Sequence, residues 1–255
     1  MQKSLLILFG LFLVSNFEAQ EVCTPSKRFD KINWNGNGLA FSKPKLWKKT
    51  IVPLSLACLS LSLNTIETKT KLQEDFRKPF NGYETHADDY IQYAPIGIMY
   101  ASDLLKYKSR NSIWNQTKYL AISEFCSAVI VHTLKNTLKI QRPENGSFNS
   151  FPSGHTTQAF VASQVLYNEF NQSNKVLAFS GFLFSIPTGT LRVVNNRHWI
   201  PDVLMGAGIG ILVTNLVYHF EPLKNWNPWK KRALNMSFNP SLGNDFYGGY
   251  LKIAL

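Results

Sequence analysis

The chain has 255 residues and carries 27 Lys and Arg against 16 Asp and Glu, a formal charge of +11 at neutral pH. With 45% hydrophobic residues it can bury a sizeable core in one compact domain; this excludes a disordered chain, and no second domain shows in the sequence. The positive charge suits anionic substrates or an anionic membrane surface carrying them, whereas no nucleic-acid-binding motif occurs and nothing marks a protein partner.

Lys3, the apolar run Leu5–Val14 and then Phe17-Glu18-Ala19 ahead of Gln20 read as a secretory signal peptide over residues 1–19. The protein is therefore expected to be exported, to a bacterial periplasm. Gln20-Glu21-Val22 lacks the small residues that precede a lipidated cysteine, so Cys23 does not indicate a lipoprotein. Residues 20–49 are polar, with Asn-Gly and Lys-Pro signals, and read as an extended arm.

The body of the chain, residues 50–222, is expected to be an all-α bundle of about six core helices. Apolar or amphipathic segments fall at about 51–64, 91–106, 117–140, 154–170, 175–191 and 202–220, and Ala159, Ala162, Leu166 and Phe170 recur at helical spacing. Between Thr65 and Asp89 both charge signs mix, which reads as loop with short helical pieces. Asp88-Asp89-Tyr90 within it is either a rim of the site or, more simply, a solvated helix start. After Phe220 the composition changes, and residues 223–255 read as a tail with a short β-hairpin around Asn239 to Asp245. Cys58 and Cys126 lie in apolar stretches, where buried free thiols are the default.

Three clusters carry the chemistry. Lys135 and Arg142-Pro143 come first; seven residues apart, the two cations would share one helix face, with Pro143 ending that helix. In Pro152-Ser153-Gly154-His155, Ser153 is a good N-cap and Gly154 lets the backbone come close, so free amides at a helix start can meet a phosphoryl oxygen. In the third cluster Pro201 suits the first position of a helix, which places Arg192 and His198 before it and Asp202 in its first turn. Three cations, an amide cradle and two histidines, one with a carboxylate at hand, suffice to break a phosphate ester without a metal.

In this order, Lys-x6-Arg-Pro, Pro-Ser-Gly-His and Arg-x5-His-x3-Asp resemble the three signature motifs of the type 2 phosphatidic acid phosphatase superfamily, which also holds bacterial acid phosphatases and vanadium haloperoxidases. The likeness covers Lys135 to Asp202 directly. One departure is Leu191, where the third motif usually has Ser before Arg192. The resemblance implies that His198 is the nucleophile and passes through a phosphohistidine, that Asp202 orients it, and that His155 protonates the leaving oxygen. Lys135, Arg142 and Arg192 would bind the phosphoryl oxygens with Ser153 and the Gly154 amide. No metal and no cofactor are expected; vanadate would inhibit.

Singly, any of these residues is more often structural than functional, and the constellation reverses that prior. His86 and His219 stay with the ordinary reading, as does His132, which is expected to be a satisfied core histidine. Arg197 either adds to the anion field or points to solvent.

The resemblance leaves two layouts, since such enzymes are soluble and secreted or cross the membrane six times. A span needs about 20 apolar residues. Ile51–Leu63 is short for that, polar residues interrupt the helix after His155, and only 176–191 and 203–220 approach the requirement. A mean hydropathy of −0.11 favours a periplasmic bundle associated with the inner membrane. The expected activity is hydrolysis of a phosphomonoester or diphosphate, small or lipid-linked. The rivals are a vanadium-dependent haloperoxidase with vanadate as cofactor, for which the chain is short, and a non-catalytic envelope binding protein.

Overall fold

The structure is a computed structural model that describes residues 46–144 and 146–226 and the backbone of 235–243 and 246–254. The segment read as a signal peptide, Cys23 and most of the arm lie outside the described residues. Two compact units are distinguished, Met1–Pro222 and Leu223–Leu255.

The first unit is helical throughout its described part: α1 Leu46–Leu63, α2 Ile66–Arg77, α3 Ala87–Ile91, α4 Ala94–Leu104, α5 Ile113–Leu138, α6 Gly154–Phe170, α7 Lys175–Ser180, α8 Phe182–Val194 and α9 Ile200–Phe220. In the second unit β1, Asn235–Gly243, pairs antiparallel with β2, Phe246–Ala254, with Asn235 opposite Ala254 and Gly243 opposite Phe246.

Local chemistry explains where the helices start and stop. Thr65 caps α2 by accepting the Thr68 amide, Glu67 lies in its first turn and Arg77 in its last, each favourable against the helix dipole. The mixed charges of this stretch thus make a 12-residue helix, longer than the short helical pieces expected within a loop. Ser112 caps α5 through the Asn115 amide, and Lys139 closes it in a left-handed conformation at φ 46°, its N–H donated to Lys135 O. Arg142 consequently stands four residues beyond the last residue of the helix, Leu138, and does not share a face with Lys135 on it; the two meet by another route. The segment expected at 175–191 is two helices, α7 and α8, divided at Gly181, where a Cβ would press within 3.0 Å of Ser163 Cα on α6. Helix α1 starts at Leu46, so the last residues assigned to the arm are helical.

Helices α6 and α9 form the centre. Met99 of α4, Tyr119 of α5, Val165 and Phe170 of α6 and Val217 and Tyr218 of α9 pack in one cluster, and Leu56 of α1, Phe160 of α6, and Leu204 and Ile211 of α9 in another. A second contact ties α1 to α9: Ser60 Oγ donates to Pro201 O at 2.7 Å, both buried.

Three helical stretches are long and apolar enough to cross a membrane: Leu46–Leu63, Lys175–Val194 and Ile200–Phe220. Only 11% of the first is buried against 72% of the third, so α1 offers an outer apolar face, with Trp47, Ile51, Leu54, Leu59 and Leu61 exposed, while α9 is internal. Ile51–Leu63 looked too short because the helix begins five residues earlier, at Leu46. Cys58 is exposed on the same helix and Cys126 half-buried, both as free thiols, so Cys58 is not the buried thiol its apolar setting suggested.

Candidate active site

The three clusters converge at one end of the bundle, held by a loop that winds around Asp202. Ser153 N–H donates to Asp202 O at 3.0 Å, which joins the second cluster to the third. Trp199 Nε1 donates to Gln141 O at 2.8 Å, which joins the first to the third. The close approach of α6 to α9 depends on Gly206, where a Cβ would lie 2.7 Å from Ser153 O.

Asp202 sits fully buried in the first turn of α9. Its Oδ2 accepts the Trp199 N–H at 3.0 Å and the Ser150 hydroxyl at 2.5 Å. The same oxygen lies 3.5 Å from Nδ1 of His198, an ionic approach that falls short of a directed hydrogen bond; Nδ1 of His198 and Oδ1 of Asp202 have no hydrogen-bond partner among the described residues. Burial holds the His198 imidazole down at about pKa 4, against the opposing pull of Asp202, while Lys135 and Arg192 lower it further. His198 is therefore held toward its neutral form, in which one ring nitrogen keeps a lone pair.

Lys135 Nζ donates to Asn149 O, and Arg142 Nε donates to Asn149 Oδ1 at 2.9 Å. Asn149 thus brings together the two cations that the helix itself does not align. Burial first, then the neighbouring Arg142 and Arg192, lower Lys135 to about 8, with Asp202 opposing. Arg197 pairs with Glu144 at 3.3 Å, and Glu144 also approaches Arg142 at 3.4 Å. Arg197 is thus ion-paired while its side chain stays 43% exposed.

Ser153 is the N-cap of α6, yet its hydroxyl bonds Thr156 Oγ1 at 2.9 Å and caps no amide. Gly154 opens the helix, and the space where its Cβ would stand is empty. His132 is exposed, which corrects its reading as a core histidine.

The acidic pair on α3 is the largest addition to what the sequence suggested. Asp88 is buried, not solvated: its Oδ2 accepts Arg192 Nη1 at 2.6 Å and its Oδ1 accepts Asn195 Nδ2 at 3.0 Å. Asp89 Oδ1 lies 2.9 Å from His155 Nε2 and 3.7 Å from Arg192. Burial and then Arg192 lower the pKa of His155, while Asp89 and Asp88 oppose them. Helix α2 fixes the turn that carries the third cluster: Gln73 Nε2 donates to Val193 O and Asn196 Oδ1, each at 3.1 Å, and Arg77 Nε donates to Val194 O at 3.0 Å. The available signal was electrostatic, since a buried cation such as Arg192 needs a counter-charge and Asp88-Asp89 is an acidic pair in a basic chain.

A cavity of about 220 Å³ opens beside His155, lined among others by Glu84, Thr85, Asp88, Asp89, Arg192 and Arg197. Neither His198 nor Lys135 lines it. Among the described residues no group of three or more His, Cys, Asp or Glu side chains could hold a metal ion.

Residues 116–226 match the PAP2 superfamily. The chain is 30% identical over 173 residues to a lipid A 1-phosphatase of Porphyromonas gingivalis, covering 66% of this chain and 38% of that protein. It is 33% identical over 118 residues to an Arabidopsis thaliana protein described as "Probable lipid phosphate phosphatase 4", covering 41% of this chain and 36% of the other. It therefore spans well under half the length of these two relatives. The crystal structure of Aquifex aeolicus LpxE is similar at a TM-score of 0.47 and 19% identity, over 62% of this chain and 98% of that one.

Proposed function

We propose that this chain, whose residues 116–226 belong to the PAP2 superfamily, is a phosphatase that hydrolyses a lipid-linked phosphomonoester or diphosphate without a metal. The observation that carries the reading is the buried His198 set against Asp202, with the cations Lys135 and Arg192 acting on it and Arg142 acting on Lys135. Phosphoryl transfer asks a protein mainly for positioning and for charge on the oxygens, and this is what the cluster supplies.

The steps follow from the residues. The lone pair of His198 Nε2 attacks phosphorus as the bond to the leaving oxygen breaks, and His155 gives that oxygen its proton. The three cations and the Gly154 amide hold the phosphoryl oxygens. Water then attacks the phosphohistidine, His155 takes its proton, and phosphate leaves with His198 restored. Asp202 stabilises the positive imidazole while it is phosphorylated. A cation such as magnesium would be repelled by the same three side chains, so none is assigned a role.

The lipid part of the reading has two supports. Relatives named as lipid phosphatases match the chain. Three helical stretches are apolar enough to cross a membrane, and α1 turns its apolar side outward. The protein would then be exported by residues 1–19 and held in the inner membrane with the site toward the periplasm. Detergent-solubilised protein assayed for phosphate release from lipid A, phosphatidic acid, undecaprenyl diphosphate and p-nitrophenyl phosphate tests the assignment. Turnover of at least one lipid well above the nitrophenyl ester supports it; hydrolysis of soluble esters alone contradicts its lipid part.

A further inference from the structure

We propose that Asp89 is a positioning residue for the reaction, holding His155 through Nε2 so that the opposite ring nitrogen, Nδ1, is turned toward the departing oxygen. This rests on the reading of His155 as the acid. The contact is direct, Asp89 Oδ1 to His155 Nε2 at 2.9 Å, and joins residues from α3 and α6 that lie far apart in sequence.

Three features make this contact more than a surface ion pair. First, α3 is fixed in place: Asp88, the preceding residue, is buried and bound to Arg192 at 2.6 Å and to Asn195 at 3.0 Å, and Asn195 in turn bonds the backbone of Thr85 at both N–H and C=O. Asp89 is thus delivered by an anchored turn, not by a free side chain. Second, a carboxylate would repel a phosphoryl group, so its useful place is on the leaving-group side. The cavity beside His155 is lined by Asp89, His155 and Arg192 and not by His198, and we assign it to the leaving group. Third, the imidazole faces opposed charges. Arg192 acts against its protonation, and Asp89 and Asp88 act for it. Glu84, His86 and Arg197 line the same cavity, His86 Nδ1 standing 3.5 Å from Asp89 Oδ2. Removing the Asp89 charge leaves Arg192 less opposed, and the proton His155 must deliver becomes harder to hold.

The consequence is selective for leaving group. An alkoxide departs poorly unless protonated, whereas a nitrophenolate departs as the anion. The experiment compares Asp89→Asn, Asp89→Glu and His155→Ala with wild type in detergent-solubilised full-length protein, on octyl phosphate and p-nitrophenyl phosphate across pH. Asp89→Asn is expected to lower kcat/KM for octyl phosphate by roughly 10- to 100-fold, a part of what general acid catalysis provides. It should leave the nitrophenyl ester within about 3-fold and move the alkaline limb of the octyl phosphate profile to lower pH. Asp89→Glu should restore most of the loss. An equal loss on both esters, or an unmoved pH profile, overturns the role of Asp89 while a leaving-group-selective His155→Ala keeps the acid in place. If His155→Ala itself damages both esters equally, the acid assignment falls and the role of Asp89 with it.

Discussion

The carboxylate of Asp88 meets the guanidinium of Arg192 at 2.6 Å, with 9% or less of either side chain exposed, across 104 residues of sequence. This pair docks α3 onto the end of α8 and fixes one of the three cations that would hold the phosphoryl group. Breaking it strands a buried guanidinium. Asp88→Ala is expected to cost about 3 kcal/mol of stability, read from denaturant midpoints. Inorganic phosphate should then raise the Tm of the variant more than that of wild type, because an anion at Arg192 replaces the missing charge. Equal phosphate responses would show that Asp88 does not stand against the phosphoryl-binding face.

Lys135 gives the reaction an alkaline limit. With its pKa lowered to about 8 by burial and by Arg142 and Arg192, it loses its charge as pH rises through that value. Binding of a phosphate dianion favours the protonated form, so kcat/KM for p-nitrophenyl phosphate should fall above about pH 8 and the limb should move upward in kcat, where substrate is bound. Lys135→Arg keeps its charge and should lack this limb.

Gly206→Ala should loosen the junction between the second and third clusters. The added Cβ would lie 2.7 Å from Ser153 O and 3.1 Å from Thr157 Oγ1. Relief requires α6 and α9 to part, at a cost of about 1–3 kcal/mol. Since His155 and Gly154 ride on α6 and Asp202 on α9, kcat should drop more than KM rises.

Metal independence is tested by removal. Activity is expected to survive excess EDTA and to be inhibited by vanadate, a mimic of the phosphoryl group in its transition state. Loss in EDTA with recovery on magnesium or zinc would contradict the proposed chemistry. Halide oxidation on adding vanadate would favour the haloperoxidase alternative.

The residues proposed to carry the chemistry stand out in the sequence because motif spacing is local. Ser153, Gly154 and His155 share one helix start, and Asp202 falls within a turn of His198. The supports were not legible because they are bonds between distant segments. Asp88 to Arg192, Gln73 to the Val193 turn, and Asn149 between Lys135 and Arg142 have no spacing signature. Helical periodicity mis-set Arg142 for a definable reason: Lys139 adopts a left-handed conformation without being glycine, and nothing in its identity announces that the helix ends there. The outward apolar face of α1 was understated because its helix draws in Leu46 and Trp47 from a stretch that reads as polar arm.

The central claim is that His198 carries the phosphoryl group. The most direct measurement is rapid acid-free quenching of wild-type, His198→Ala and Asp202→Asn proteins during turnover of substrate labelled at phosphorus, followed by peptide mapping at alkaline pH. Wild type is expected to retain label that is stable to base, labile to acid and confined to the peptide containing His198. Asp202→Asn should form it more slowly, and His198→Ala should form none and turn over no substrate. Label on another residue, or near-normal turnover by His198→Ala, would contradict the account.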